Sequence, residues 1–103
     1  MKYAVIKDEY AYNSKTKEFE GVPGKLNTVV ASDLSFKDAI DIIENNIKAD
    51  KSLATIKTSC TNEEEREICD SLYSRLDAVK KDYTNERVTH WYIKPCIDYK
   101  LLS

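Results

Sequence analysis

A chain of 103 residues with a formal charge of −2 and a pI near 5.4 has room for one core. It carries no long-range field to draw it onto nucleic acid or an anionic membrane. Its 42% hydrophobic and 33% charged residues, with only two Gly and two Pro, exclude a disordered or linker-like polymer, so a single α+β domain over residues 1–103 is expected.

The first residues, Met1 to Glu9, meet acid after a four-residue apolar run, which is too short for a secretory signal. No run approaches the ~18 apolar residues that span a bilayer. Cys60, Cys69 and Cys96 are odd in number and widely spaced. They read as free thiols in a reducing compartment, and a cytoplasmic location is expected. Plentiful Lys, Asn, Ile and Tyr with scarce Arg, Gly and Pro match AT-rich coding, as in many bacteria and phages.

Tyr3 to Lys7 reads as a short strand of β-favouring residues. A hairpin follows, with Glu9-Tyr10-Ala11-Tyr12 and Lys17-Glu18-Phe19-Glu20 joined through Asn13-Ser14-Lys15-Thr16. Tyr10, Tyr12 and Phe19 then form aromatic pairs across the ribbon. Gly21-Val22-Pro23-Gly24 turns the chain again, and Leu26 to Ala31 is a further strand with Val29-Val30-Ala31 its most buried part.

Ser35 is placed to cap a helix over residues 36–48, with Leu34 packing on Ala39 as a staple. Phe36, Ala39, Ile40, Ile43 and Ile47 line one face, while Lys37, Asp38, Asp41, Glu44 and Asn45 fill the solvent side. Lys51 to Thr58 is compatible with a short strand or with packed loop. Thr61-Asn62-Glu63-Glu64 reads as a capping box opening a helix from Asn62 to Tyr83, roughly 33 Å long. Its stripe is Ile68, Leu72, Leu76, Val79 and Tyr83, edged by Cys69 and Tyr73, with Lys80 and Lys81 near the end. Val88 to Lys94 forms the last strand, stopped by Pro95. Its two apolar faces place it centrally in the sheet or at an interface, and the tail from Cys96 to Ser103 is expected to pack back. The fold class is therefore α+β: a small antiparallel or mixed sheet of four to five strands, with two helices packed on one face.

No spacing announces chemistry. His90 is the only histidine, and no nucleophile or acid stands at a diagnostic distance from it in the chain. Cys60 and Cys69 are nine residues apart, and His90 and Cys96 six, unlike the close pairs of a zinc site. Gly21-Val22-Pro23-Gly24 lacks the glycines and the Lys-Ser/Thr of a phosphate loop. Neither metal nor cofactor is expected, and the reading is non-catalytic.

Two surfaces stand out instead. Residues 61–87 hold five cations against eight carboxylates, so Glu63, Glu64, Glu67 and Asp70 are expected to form an acidic helical face. The chain also has seven tyrosines, more than a thin core needs, and aromatics with a polar end are enriched at protein interfaces. The leading expectation is a protein-binding protein that uses this acidic face or the hairpin residues Tyr10, Tyr12 and Phe19. A partner with a basic surface suits the acidic face, one concrete version being a phage or mobile-element inhibitor of a host nucleic-acid-acting enzyme. A second class is nucleic-acid binding through the ribbon of Tyr10, Tyr12, Lys15, Lys17 and Phe19 with Lys7 and Lys25, diluted by Asp8, Glu9, Glu18 and Glu20. A structural or dimeric accessory protein is the third, and a homodimer is compatible with all of them.

Overall fold

The computed structural model describes residues 1–50, 52–58, 60–77 and 84–96. Strand β1, Tyr3–Asn13, organises the rest. It runs as one 11-residue strand through Asp8 and Glu9, where the sequence reading ended a first strand. Tertiary pairing removes that break, because β1 lies antiparallel to β5, Thr84–Pro95, from Tyr3↔Pro95 to Ala11↔Arg87. The two carboxylates are each held. Glu9, 7% exposed, accepts from Arg87 Nη2 at 2.8 Å with Lys7 Nζ at 3.8 Å. Asp8 Oδ1 accepts the Asn27 amide at 2.6 Å.

The other edge of β1 is shared end to end. Its C-terminal half pairs with β2, Glu18–Gly21, and its N-terminal half with β3, Thr28–Leu34, both antiparallel. The β1–β2 turn is closed by the Lys17 amide on Asn13 O at 2.8 Å, and Lys17 itself takes a left-handed φ of 60°. Lys17 is thus the last turn residue and not the first strand residue. After β2, the Lys25 amide bonds Val22 O at 2.9 Å, with Gly24 at φ 78°, a type II turn led by Pro23. Strand β3 starts two residues later than expected and its register with β1 shifts twice. Val29-Val30-Ala31 is not a buried run, because β3 is an edge strand: Val29 is 38% exposed and the other two are half-buried.

Helix α1, Phe36–Asp50, begins as its cap dictates, with Ser35 Oγ accepting the Asp38 amide at 3.1 Å. All five residues of its apolar stripe are buried. Residues Lys51–Thr58 resolve as strand β4, Ser52–Thr58, which runs parallel to β5. Helix α2, Glu63–Asp77, makes the crossover between those two strands. Its expected continuation, with Val79, Lys80, Lys81 and Tyr83, lies outside the described residues, as does the tail after Cys96. The cap is shifted by one: Asn62 Oδ1 accepts the Glu65 amide at 2.9 Å and Glu65 Oε1 accepts the Thr61 amide at 3.0 Å. Asn62, not Thr61, is the cap, and Glu65, not Glu64, reaches back past it to the Thr61 amide.

The result is a mixed five-stranded sheet, β2-β1-β5-β4 with β3 also on β1, and two helices on one face. Tyr3, Val5, Ile56, Trp91 and Ile93 of the sheet meet Ile40, Ile43 and Ile47 of α1 and Cys69, Leu72 and Leu76 of α2. Each such aliphatic side chain contributes about 1.5–3 kcal/mol by leaving water. The helices are tied by Arg75 of α2, whose Nε donates to Glu44 Oε2 of α1 at 2.6 Å. Glu44, expected on the solvent side, is 9% exposed because this cation reaches it. At 19 Å in its shortest dimension the molecule holds one sheet and one helical layer. Among the described residues no helix packs on the second sheet face.

Candidate docking surface

Strand alternation decides which side chains reach that second face. Tyr3, Val5 and the residues they pair with, Pro95 and Ile93, point to the helices. The alternate set therefore points away: Ala4, Ile6, Asp8, Tyr10 and Tyr12 of β1, opposite Lys94, Tyr92, His90 and Val88 of β5, with Ala4 and Ile6 buried and exposure growing toward Tyr12. Strand β2 adds Phe19, the register partner of Tyr12, and β3 adds Val29, the partner of Ile6. Leu26 joins them through Gly21, the partner of Tyr10, because a Cβ built there meets Leu26 Cδ1 at 3.0 Å.

An exposed face of an antiparallel sheet is ordinarily polar. This one is not. Among the described residues the exposed large hydrophobic side chains are Met1, Tyr12, Phe19, Leu26, Val29 and Tyr73, and four of these six share this face. Tyr12 and Phe19 stack edge to face with centroids 5.4 Å apart and are 47% and 45% exposed. The Tyr10 ring meets His90 in the same manner at 5.1 Å. Tyr92 lies between the ammonium groups of Lys94 and Lys57, at 5.5 and 6.0 Å from its ring centre. Burial, then the nearby Asp8 carboxylate and Tyr10, push the Tyr92 hydroxyl pKa up, so it stays a neutral donor. By the same alternation the charged residues of this face on β1, β4 and β5 include Asp8, held by the Asn27 amide, these two lysines and the exposed Glu86.

The hairpin residues Tyr10, Tyr12 and Phe19 are thus brought together and extended by His90 and Tyr92. The acidic set lies on the opposite layer. Glu63, Glu64, Glu67 and Asp70 are all exposed on α2, where Glu63 lies 3.9 Å from Arg66 Nε. Glu64 and Glu67 flank the groove toward α1 together with Lys37, while Glu65 turns inward. The two helices together carry ten carboxylates against four cations, so the charge asymmetry is real and belongs to the layer behind the sheet. One partner surface cannot touch both sets at once. The lysine-tyrosine ribbon is divided as well, because Lys7 points to the helical side and stands 5.7 Å over Trp91.

His90 Nδ1 is enclosed without a hydrogen-bond partner among the described residues. The sheet separates it from Cys60 and Cys69, which pack with the helical core. Among the described residues no three His, Cys, Asp or Glu side chains converge as a metal site, and no helix is long and apolar enough to cross a membrane. Comparison with family models, with curated proteins and with solved structures found no match for this chain.

Proposed function

We propose that the chain is a non-catalytic binding module of the cytoplasm that docks a partner protein on the sheet face turned away from its helices. The observation that carries this reading is the gathering of Tyr12, Phe19, Leu26 and Val29, each 38–47% exposed, on one face of the sheet. The gathered aromatics match the anatomy of protein interfaces, where Tyr is enriched, whereas Asp8 in the middle of the face departs from it. The in-plane dimensions of 44 and 35 Å leave room for the roughly 800 Å² that each partner buries in a standard interface. Lys57 and Lys94 favour carboxylates at the rim of the partner. Two lysines beside Asp8 make a weak phosphate track, and this supports a protein over a nucleic acid as the occupant.

The test is capture from a nuclease-treated bacterial lysate by the native protein and by a Tyr12→Ser/Phe19→Ser variant with an unchanged melting curve. A stoichiometric protein held by the native chain and lost by the variant supports the proposal. Equal capture by both contradicts it, as does concentration-dependent dimerisation that the variant abolishes, which would make a second copy the occupant. A second reading rests on the ten carboxylates of the helical layer. There the acidic face of Glu63, Glu64, Glu67 and Asp70 docks on a basic protein surface, such as the groove of a nucleic-acid-acting enzyme. It requires that Glu63→Lys/Glu64→Lys/Glu67→Lys release the captured protein while the sheet-face variant retains it.

A further inference from the structure

Two cysteines nine residues apart meet behind the sheet. Cys60 lies in the connection between β4 and α2, and Cys69 sits in the second turn of α2. Their sulfurs are 3.5 Å apart, and both are unbridged. The Thr58 hydroxyl, at the end of β4, touches both, at 3.4 Å from Cys60 Sγ and 3.3 Å from Cys69 Sγ. Cys60 is half-buried, whereas Cys69 is 4% exposed inside the core. Cys96, the third thiol, is buried at the end of β5 and takes no part in this contact.

We infer that Cys60 and Cys69 form a dithiol pair that hydrogen peroxide converts to an intramolecular disulfide, tying the β4–α2 connection to the body of α2. The geometry asks for little. The sulfurs must approach by about 1.5 Å to reach the ~2.05 Å of a disulfide. Cys60 belongs to no helix or strand, so it can supply that movement while Cys69 stays in the helix.

The order of events follows from access. Burial pushes the Cys69 thiol up to about 11, so it stays protonated, and peroxide reaches the half-buried Cys60 first. The Cys60 sulfur attacks one peroxide oxygen, the O–O bond breaks, and the second oxygen leaves as water with the thiol proton. This gives a sulfenic acid on Cys60. The Cys69 sulfur then attacks Cys60 Sγ, an S–S bond replaces the S–O bond, and hydroxide takes the Cys69 proton as a second water. One hydrogen peroxide is reduced to two waters and two thiols are oxidised.

The test is hydrogen peroxide on the folded native chain, followed by alkylation in denaturant, intact mass and peptide mapping. Three alkylatable thiols should fall to one, Cys96, with a mass loss of about 2 Da that dithiothreitol reverses. Cys96→Ala should keep this response, and Cys60→Ser should abolish it. Oxygen adducts on Cys60 with Cys69 still alkylatable, covalent dimers through Cys60, or three thiols left unchanged would each overturn the inference. So would the same disulfide yield after unfolding, since the proposal rests on the folded contact.

Discussion

Glu65 offers a sharp test of how the helical layer is fastened to the sheet. Its Oε2 accepts the Tyr3 hydroxyl at 2.8 Å and the Asn62 side-chain amide at 3.4 Å, while Oε1 accepts the Thr61 amide and hydroxyl, both at 3.0 Å. One carboxylate thus closes the cap of α2 and grips the first strand, 62 residues away in the chain. In Glu65→Ala the Tyr3 hydroxyl, on a residue 3% exposed, loses its acceptor. An orphaned buried donor costs about 1–3 kcal/mol, and the lost capping side about 1 kcal/mol more. A cleft of about 340 Å³ beside Tyr3 and Glu65 lets water replace part of the loss, so the expected cost is about 3 kcal/mol. For a chain of this size that is a fall in Tm of roughly 10–20 °C, read by circular dichroism. Tyr3→Phe removes the same bond from the other end. A double-mutant cycle should therefore return a coupling of about 1–2 kcal/mol. A Glu65→Ala cost below about 1 kcal/mol, or strict additivity with Tyr3→Phe, would refute the reasoning.

Acid should act through two carboxylates. The Arg75 guanidinium holds the Glu44 carboxyl below its ordinary value; burial pushes Glu65 up, but hydrogen bonds from Thr61, Tyr3 and Asn62 outweigh it and hold it low. Both folded-state values lie below the unfolded ones, so their stabilisation is full above the usual carboxylate range and is lost as pH falls through the depressed values. The urea midpoint should be flat near neutrality and fall below about pH 4.5; a midpoint that rises on acidification would contradict this. Gly24→Ala should cost about 1 kcal/mol in urea unfolding from its φ of 78° alone, because nothing lies within 4 Å of the added Cβ. Arg75→Ala should cost only about 1 kcal/mol in the same assay, since the arginine side chain is 43% exposed and water screens the pair.

Local patterns carried much of the fold. The stripe from Phe36 to Ile47 names the buried side of α1, and Ser35 names its start, because both signals lie within a few residues of each other. The alternation of Val88 to Ile93 likewise points to a central strand, which β5 is. Long-range pairing was not legible. Residues 52–58 became a strand only because β5 offers a parallel partner, and Asp8-Glu9 stayed in β1 only because Arg87 and the Asn27 amide meet them. The cap of α2 was ambiguous for a chemical reason: Thr61 and Asn62 are both good capping residues, and Glu64 and Glu65 are both placed to reciprocate. Hairpin spacing put Tyr10, Tyr12 and Phe19 on one ribbon face, whereas their union with His90 and Tyr92 depends on register with a strand some 80 residues downstream. Nothing in a nine-residue spacing brings Cys60 onto Cys69.

The most direct measurement is the dissociation constant of the captured partner for three chains: native, Tyr12→Ser/Phe19→Ser, and Glu63→Lys/Glu64→Lys/Glu67→Lys. Two aromatic anchors in an interface are worth about 2 kcal/mol each, so the first variant should bind roughly 1,000-fold more weakly. The charge-reversed variant should stay within a few-fold of the native chain. The opposite ranking, with the aromatic variant unaffected and the charge-reversed one weakened, would contradict the account and move the docking surface to the helical layer.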